Sequence, residues 1–134
     1  MSSVVAVPVA DTMYGTIGGE ATTVAETRLK VSETEKIVRS YFSDIPVMIQ
    51  IARCESTFRH TLPDGTVLTG IVDSADTGVM QINTRYHGEK AKELGLDLKN
   101  LTDNLAYARH LYEKQGTRPW SASASCWSET IAMR

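Results

Sequence analysis

The chain has 134 residues, 42% hydrophobic and 22% charged, with a formal net charge of -2. That suffices for one domain with one core and excludes disorder throughout. Phosphate binding leans on clustered Lys and Arg, and none of the short basic runs here is dense, so nucleic acid is excluded as the main partner.

No apolar run approaches the roughly 20 residues needed to span a bilayer. A secretory signal needs a basic region ahead of its apolar core, yet the first basic residue is Arg28 and "VVAVPVA" is broken by Pro8. Export would therefore use another route or a signal outside this sequence. Residues 1–31 mix Val, Thr and Gly without lasting periodicity and are expected to form a mobile N-terminal arm or leader.

The first firm signal is Ser32-Glu33-Thr34-Glu35, a capping box in which Ser32 and Glu35 open a helix over about 33 to 43. Asp44-Ile45-Pro46 restarts the chain, Asp44 as a cap and Pro46 in a first turn. In the next helix, "PVMIQIARCE", Met48, Ile51 and Ala52 share a stripe with Glu55, while Gln50 and Arg53 fall on the far side. Glu55 thus joins the core-facing stripe.

"FRHTLPDGTVLTGIVD" changes period, with Pro63-Asp64-Gly65 as the turn of a small β-hairpin or irregular sheet. "TGVMQIN" leads to a short helix near 86 to 94, ended by Gly95. A longer helix, "TDNLAYARHLYEKQ", starts near Thr102 or Asp103 and ends at Gly116. Its core stripe is Leu101, Leu105, Ala108 and Tyr112, with Asn104, Tyr107 and Leu111 on a neighbouring face. The closing stretch carries both tryptophans and Cys126 and is expected to fold back onto the body as far as Trp127, with residues 128–134 as a tail.

Burial disfavours the charged form of a carboxyl, and a helix C-terminus disfavours negative charge further. Both push Glu55 upward, and an acid still protonated near neutral pH can hand a proton to a leaving oxygen. The plain alternative is a Glu paired to Arg53 or Arg59 at a helix end. Cys54 and Cys126 admit two readings, buried free thiols or a disulfide closing about 70 residues.

"CESTF", "DSADTGVMQIN" and "NLAYARHLYEKQG" together resemble the lysozyme superfamily, in which an E-S-x-F helix end is followed by a G-[VIL]-[ML]-Q-I-N turn. The likeness covers roughly residues 33 to 127. It is most similar to the lysozyme-like domains of soluble lytic transglycosylases, with a local likeness to animal-type lysozymes. The resemblance implies an α+β, predominantly α, lysozyme-like fold over residues 32–127, with a small β-hairpin element beside a saccharide cleft. It implies cleavage of the β-1,4 bond between N-acetylmuramic acid and N-acetylglucosamine in peptidoglycan, with Glu55 as general acid. It also favours the disulfide, and with it an extracellular or cell-envelope location.

Asp76 stands two residues before Gly78, where animal-type lysozymes carry their second carboxylate; that two-carboxylate assignment belongs to lysozymes and is carried by the resemblance. Lytic transglycosylases usually lack it, so Asp76 is either catalytic or a loop-capping residue. Asp73 and Asp64 are weaker candidates. Gln81 and Asn83 either hold sugar hydroxyls and N-acetyl groups or shape the turn. Asn104 matches the family's asparagine, but a tyrosine expected seven residues later is Leu111, and Tyr107 is the nearest replacement. The family's Tyr-Asn-Ala-Gly signature is replaced by "WSASASCW".

Trp120 either stacks on a sugar ring or belongs to the core, and Trp127 reads as core. His60, His87 and His110 lack metal-ligand spacing and there is no Gly-rich phosphate loop, so no cofactor or metal is expected. Peptidoglycan glycan strands are the expected partner of a monomer. The rival is a non-catalytic lysozyme-fold module that binds glycan or a protein. The acidic balance argues against free attack on anionic walls and for remodelling of the producer's own wall, or local penetration by a secretion or phage apparatus.

Overall fold

A computed structural model describes residues 30–132; the expected N-terminal arm lies almost wholly outside them. Over that span the chain is mostly helical with one small antiparallel sheet. Among the described residues no helix is long and apolar enough to cross a membrane.

Helix α1, Val31–Tyr41, starts two residues earlier than Ser32-Glu33-Thr34-Glu35 suggested. Its cap is Lys30, whose backbone N–H donates to Glu33 Oε1 at 3.2 Å, while Glu35 turns along the helix to Arg39 at 2.8 Å. Thr34, Val38 and Phe42 are buried at the four-residue spacing of one helix face. Asp44 does not cap the next helix either. It receives both arms of Arg109, at 2.9 and 3.0 Å, and Arg109 also donates to the Tyr41 carbonyl, so this corner is clamped to a distant helix.

Helix α2, Pro46–Ser56, begins at Ile45 as N-cap with Pro46 in its first turn. Met48, Ile49, Gln50, Ile51 and Ala52 are all buried, which corrects the placement of Gln50 on an outer face. The reason is tertiary: α2 is enclosed by α1 on one side and by the C-terminal elements on the other, and Gln50 spends its carbonyl on Arg53 Nε at 3.0 Å. Thr57 and Phe58 then take left-handed backbone angles, φ 51° and 60°, ending the helix sharply one residue after Glu55-Ser56.

The expected hairpin over 58–73 is reduced to single bridges, Thr61 to Val67 and Thr69 to Thr77. The regular pairing lies later in the chain, between β1, Asp76–Thr77, and β2, Ile82–Asn83, in the register Asp76 opposite Asn83 and Thr77 opposite Ile82. Residues 78–81 connect them, with residues 78–80 buried. Helix α3, Thr84–Glu93, follows at once, capped by Asn83, and α4, Leu101–Gln115, is capped by Asn100 and stopped at Gly116. A 3-10 helix, Arg118–Ser123, runs into α5, Ala124–Ala132, so helix continues past Trp127.

A disulfide joins Cys54 of α2 to Cys126 of α5. The core that it borders gathers Ile51, Ala52, Val79, Met80, Leu105, Ala108, Trp120 and Trp127. Burying one such side chain stabilises the fold by about 1.5–3 kcal/mol.

Candidate functional site

The loop between β1 and β2 is buried, so each of its backbone groups needs a partner. Side chains supply them. His60 Nδ1 accepts from the Val79 N–H at 3.0 Å, while its Nε2 lies 2.8 Å from the Lys99 carbonyl. Asn104 Oδ1 accepts from the Met80 N–H at 3.0 Å, and its Nδ2 donates to the Thr77 and Leu98 carbonyls. Trp120 Nε1 donates to the Met80 carbonyl at 2.9 Å. Gly78, at φ 77°, lets His60 and Asn104 come this close: a Cβ there would stand 2.6 Å from the Asn104 amide nitrogen and from His60 Cε1.

These contacts place two of the residues expected to hold substrate inside the fold. Asn104 is fully buried with its amide saturated, and Tyr107 is 1% exposed with its hydroxyl 3.2 Å from His87 Nδ1. Asn104 packs behind the loop, and the Tyr107 ring lies beside those of His87 and His110. Asn83 is also saturated. Its Nδ2 donates to Asp73 at 3.0 Å and to Asp76 at 3.1 Å, and its Oδ1 accepts from the Arg85 and Tyr86 amides at the start of α3. It orients two carboxylates and caps a helix.

The scaffold presents Asp76 and Gln81 to open space. A cleft of about 560 Å³ runs beside Glu55, Arg59, Asp76, Gln81 and Ser123, with Thr69, Gly70, Ile71 and Val72 as its far wall. A second recess of about 290 Å³ shares Asp76 and Gln81 with the first and continues to Tyr86, His87 and Trp120. Gly70 makes the wall: a Cβ there would lie 2.4 Å from the Asp73 carbonyl and 3.0 Å from Asp76 Cβ. Gln81 holds its place at φ 51° by donating through Nε2 to the Gly78 carbonyl.

Glu55 is half-buried at the end of α2, and Ser123 Oγ donates to its Oε2 at 2.7 Å. Desolvation by burial raises its pKa above the ordinary carboxylate value; the Ser123 hydrogen bond opposes this and the negative charge of Asp76 adds to it. Arg59 turns its Nε to the Ser56 carbonyl and Thr57 Oγ1, and Arg53 turns its Nε to Gln50. Asp73, in contrast, is held below its usual range by the Ala75 amide, Arg85 and Asn83, and serves as the anchor of the loop.

Of the residues expected from sequence, Glu55, Asp76 and Gln81 share one cleft, and Asn83 and Trp120 border its extension. Trp120 is 3% exposed, so most of its ring belongs to the core. Ser123 and Tyr86 were not anticipated, and Arg59 was expected only as an alternative pairing partner for Glu55. Tyr86, 78% exposed in the first turn of α3, carried a local signal, an aromatic on a polar helix face just after the Gln-Ile-Asn turn. Ser123 carried none, because its partner is 68 residues away. Among the described residues no group of three or more His, Cys, Asp and Glu side chains is arranged to hold a metal. No protein-family model, curated protein or solved structure matches the chain.

Proposed function

We propose that the chain is a peptidoglycan glycosidase of lysozyme type, cleaving the β-1,4 bond between N-acetylmuramic acid and N-acetylglucosamine. The observation that carries this reading is Glu55, a half-buried carboxyl with a raised pKa that opens onto a cleft shared with a second carboxylate, Asp76. Two carboxyl groups in unlike environments divide acid and base work between them. Glu55 protonates the leaving oxygen as the bond to the sugar breaks. Asp76, held by Asn83, supplies negative charge to the oxocarbenium-like transition state.

Gln81 offers amide contacts midway along the cleft, and the exposed ring of Tyr86 is a platform for a pyranose further on. The Cys54–Cys126 bond suits an oxidising compartment, which is where peptidoglycan is met. The presence of Asp76 in the cleft favours hydrolysis over transglycosylation, which leaves a 1,6-anhydro-muramic end without water. Purified peptidoglycan incubated with the chain is expected to release soluble saccharides, and Glu55→Gln to bind the polymer without releasing them. Equal inertness of the two proteins would sink the enzyme reading.

A further inference from the structure

We propose that Ser123 is a positioning residue for Glu55, holding carboxyl oxygen Oε2 so that Oε1 is the oxygen that carries and delivers the proton. The proposal rests on the glycosidase reading above. Its geometry is a short chain of donors. Trp127 Nε1 donates to Ser123 Oγ at 3.1 Å, and Ser123 Oγ lies 2.7 Å from Glu55 Oε2 and 3.1 Å from the Trp120 carbonyl. A serine hydroxyl has one proton and two lone pairs. The tryptophan N–H occupies one lone pair, which leaves the proton to choose between Glu55 and the Trp120 carbonyl, and the carboxyl oxygen is nearer.

A carboxyl whose Oε2 already accepts a hydrogen bond keeps its own proton on Oε1. Among the described residues nothing else hydrogen-bonds Oε1, and Glu55 lines the cleft. Ser123 thereby does two things: it fixes the carboxyl plane, and it offsets part of the rise that burial and Asp76 impose. Its own place is secured covalently, since Cys126 lies one helical turn beyond it and is bonded to Cys54, the residue before Glu55.

The charged side chains that share the cleft lining with Glu55 are Asp76 of β1 and Arg59 beyond α2; both are left intact in the test. The Glu55 carboxyl is followed by carbon-detected NMR titration in the full chain, in wild type, Ser123→Ala and Ser123→Thr, alongside kcat and KM on peptidoglycan. Ser123→Ala is expected to move the Glu55 midpoint upward and to lower kcat roughly tenfold at nearly constant KM. The alkaline limb of the kcat profile, where the general acid loses its proton, should shift with the midpoint, and Ser123→Thr, which keeps the hydroxyl, should restore both. An unmoved midpoint in Ser123→Ala, with wild-type turnover, would overturn the role of Ser123 while the glycosidase reading stood. A midpoint that moves in a chain inert on peptidoglycan would instead remove the glycosidase reading and, with it, the catalytic purpose assigned to Ser123.

Discussion

Cys54 immediately precedes Glu55 and is bonded to Cys126, three residues beyond Ser123, so the disulfide staples together the two segments whose side chains meet at Glu55 Oε2. The bond spans a sequence separation of 72, and on the chain-entropy model a loop of that size contributes about 4 kcal/mol. Replacing both cysteines by serine is expected to lower stability by about that amount in urea unfolding. It should also cost turnover at temperatures where the variant is still folded, because Ser123 is then held by its hydrogen bonds and packing without the covalent link to the residue before Glu55. Full activity in the folded double variant would show that the staple serves stability only.

Asn104 makes three hydrogen bonds to backbone groups with none of its surface exposed. Asn104→Ala leaves the Met80 N–H and two carbonyls without partners and is expected to destabilise the chain by roughly 3 kcal/mol. Gly78→Ala should cost at least as much, about 3 kcal/mol or more, from its left-handed backbone together with the overlap on His60 and Asn104. Thermal unfolding checks both. A change near zero would show that the buried loop is not held by these side chains.

The helices and the place of Glu55 on the inner stripe of α2 were legible from local pattern, because helix periodicity is a short-range feature, whereas Asp76 entered only through the resemblance. The caps were less so: Lys30 with Glu33 displaced the Ser32 and Glu35 pair, since α1 is registered by the burial of Thr34, Val38 and Phe42 and not by its best capping residue. Asp44 was drawn off its cap by Arg109, 65 residues away. The burial of Asn104 and Tyr107 was hidden for a related reason. A polar residue on a helix face reads the same whether it meets substrate or a buried backbone loop.

Two ionisations set opposite slopes on stability. Burial raises the folded pKa of Glu55 above its ordinary value of 4.5, so the folded chain binds more protons in that window, and stability falls as pH rises from 4.5 through the folded value. Glu55→Gln removes that fall and is expected to be more stable than wild type at about pH 8 but not at about pH 4. His60 is shifted the other way by burial, below its ordinary value of 6.5. Its contribution is complete above 6.5 and is lost as pH drops through the folded pKa, because protonating Nδ1 ends its bond to the Val79 N–H. Urea midpoints across pH should show this acid-side loss in wild type and not in His60→Gln.

Tyr86 offers an exposed ring at the far end of the recess that Asp76 and Gln81 share with the main cleft. Tyr86→Ala is expected to raise KM on peptidoglycan several-fold, corresponding to about 1 kcal/mol, with kcat nearly unchanged, and Tyr86→Trp to keep KM near wild type. A loss confined to kcat would place Tyr86 in the chemistry and not in binding.

The most direct test of Glu55 as the general acid is mass spectrometry of the muropeptides that wild type and Glu55→Gln release from the same purified peptidoglycan. Wild type is expected to yield saccharides cut at the muramic acid link, with reducing ends one water heavier than the 1,6-anhydro form, and Glu55→Gln, folded as judged by its circular dichroism, to yield none. Identical products from both proteins, or none from wild type, would contradict the account.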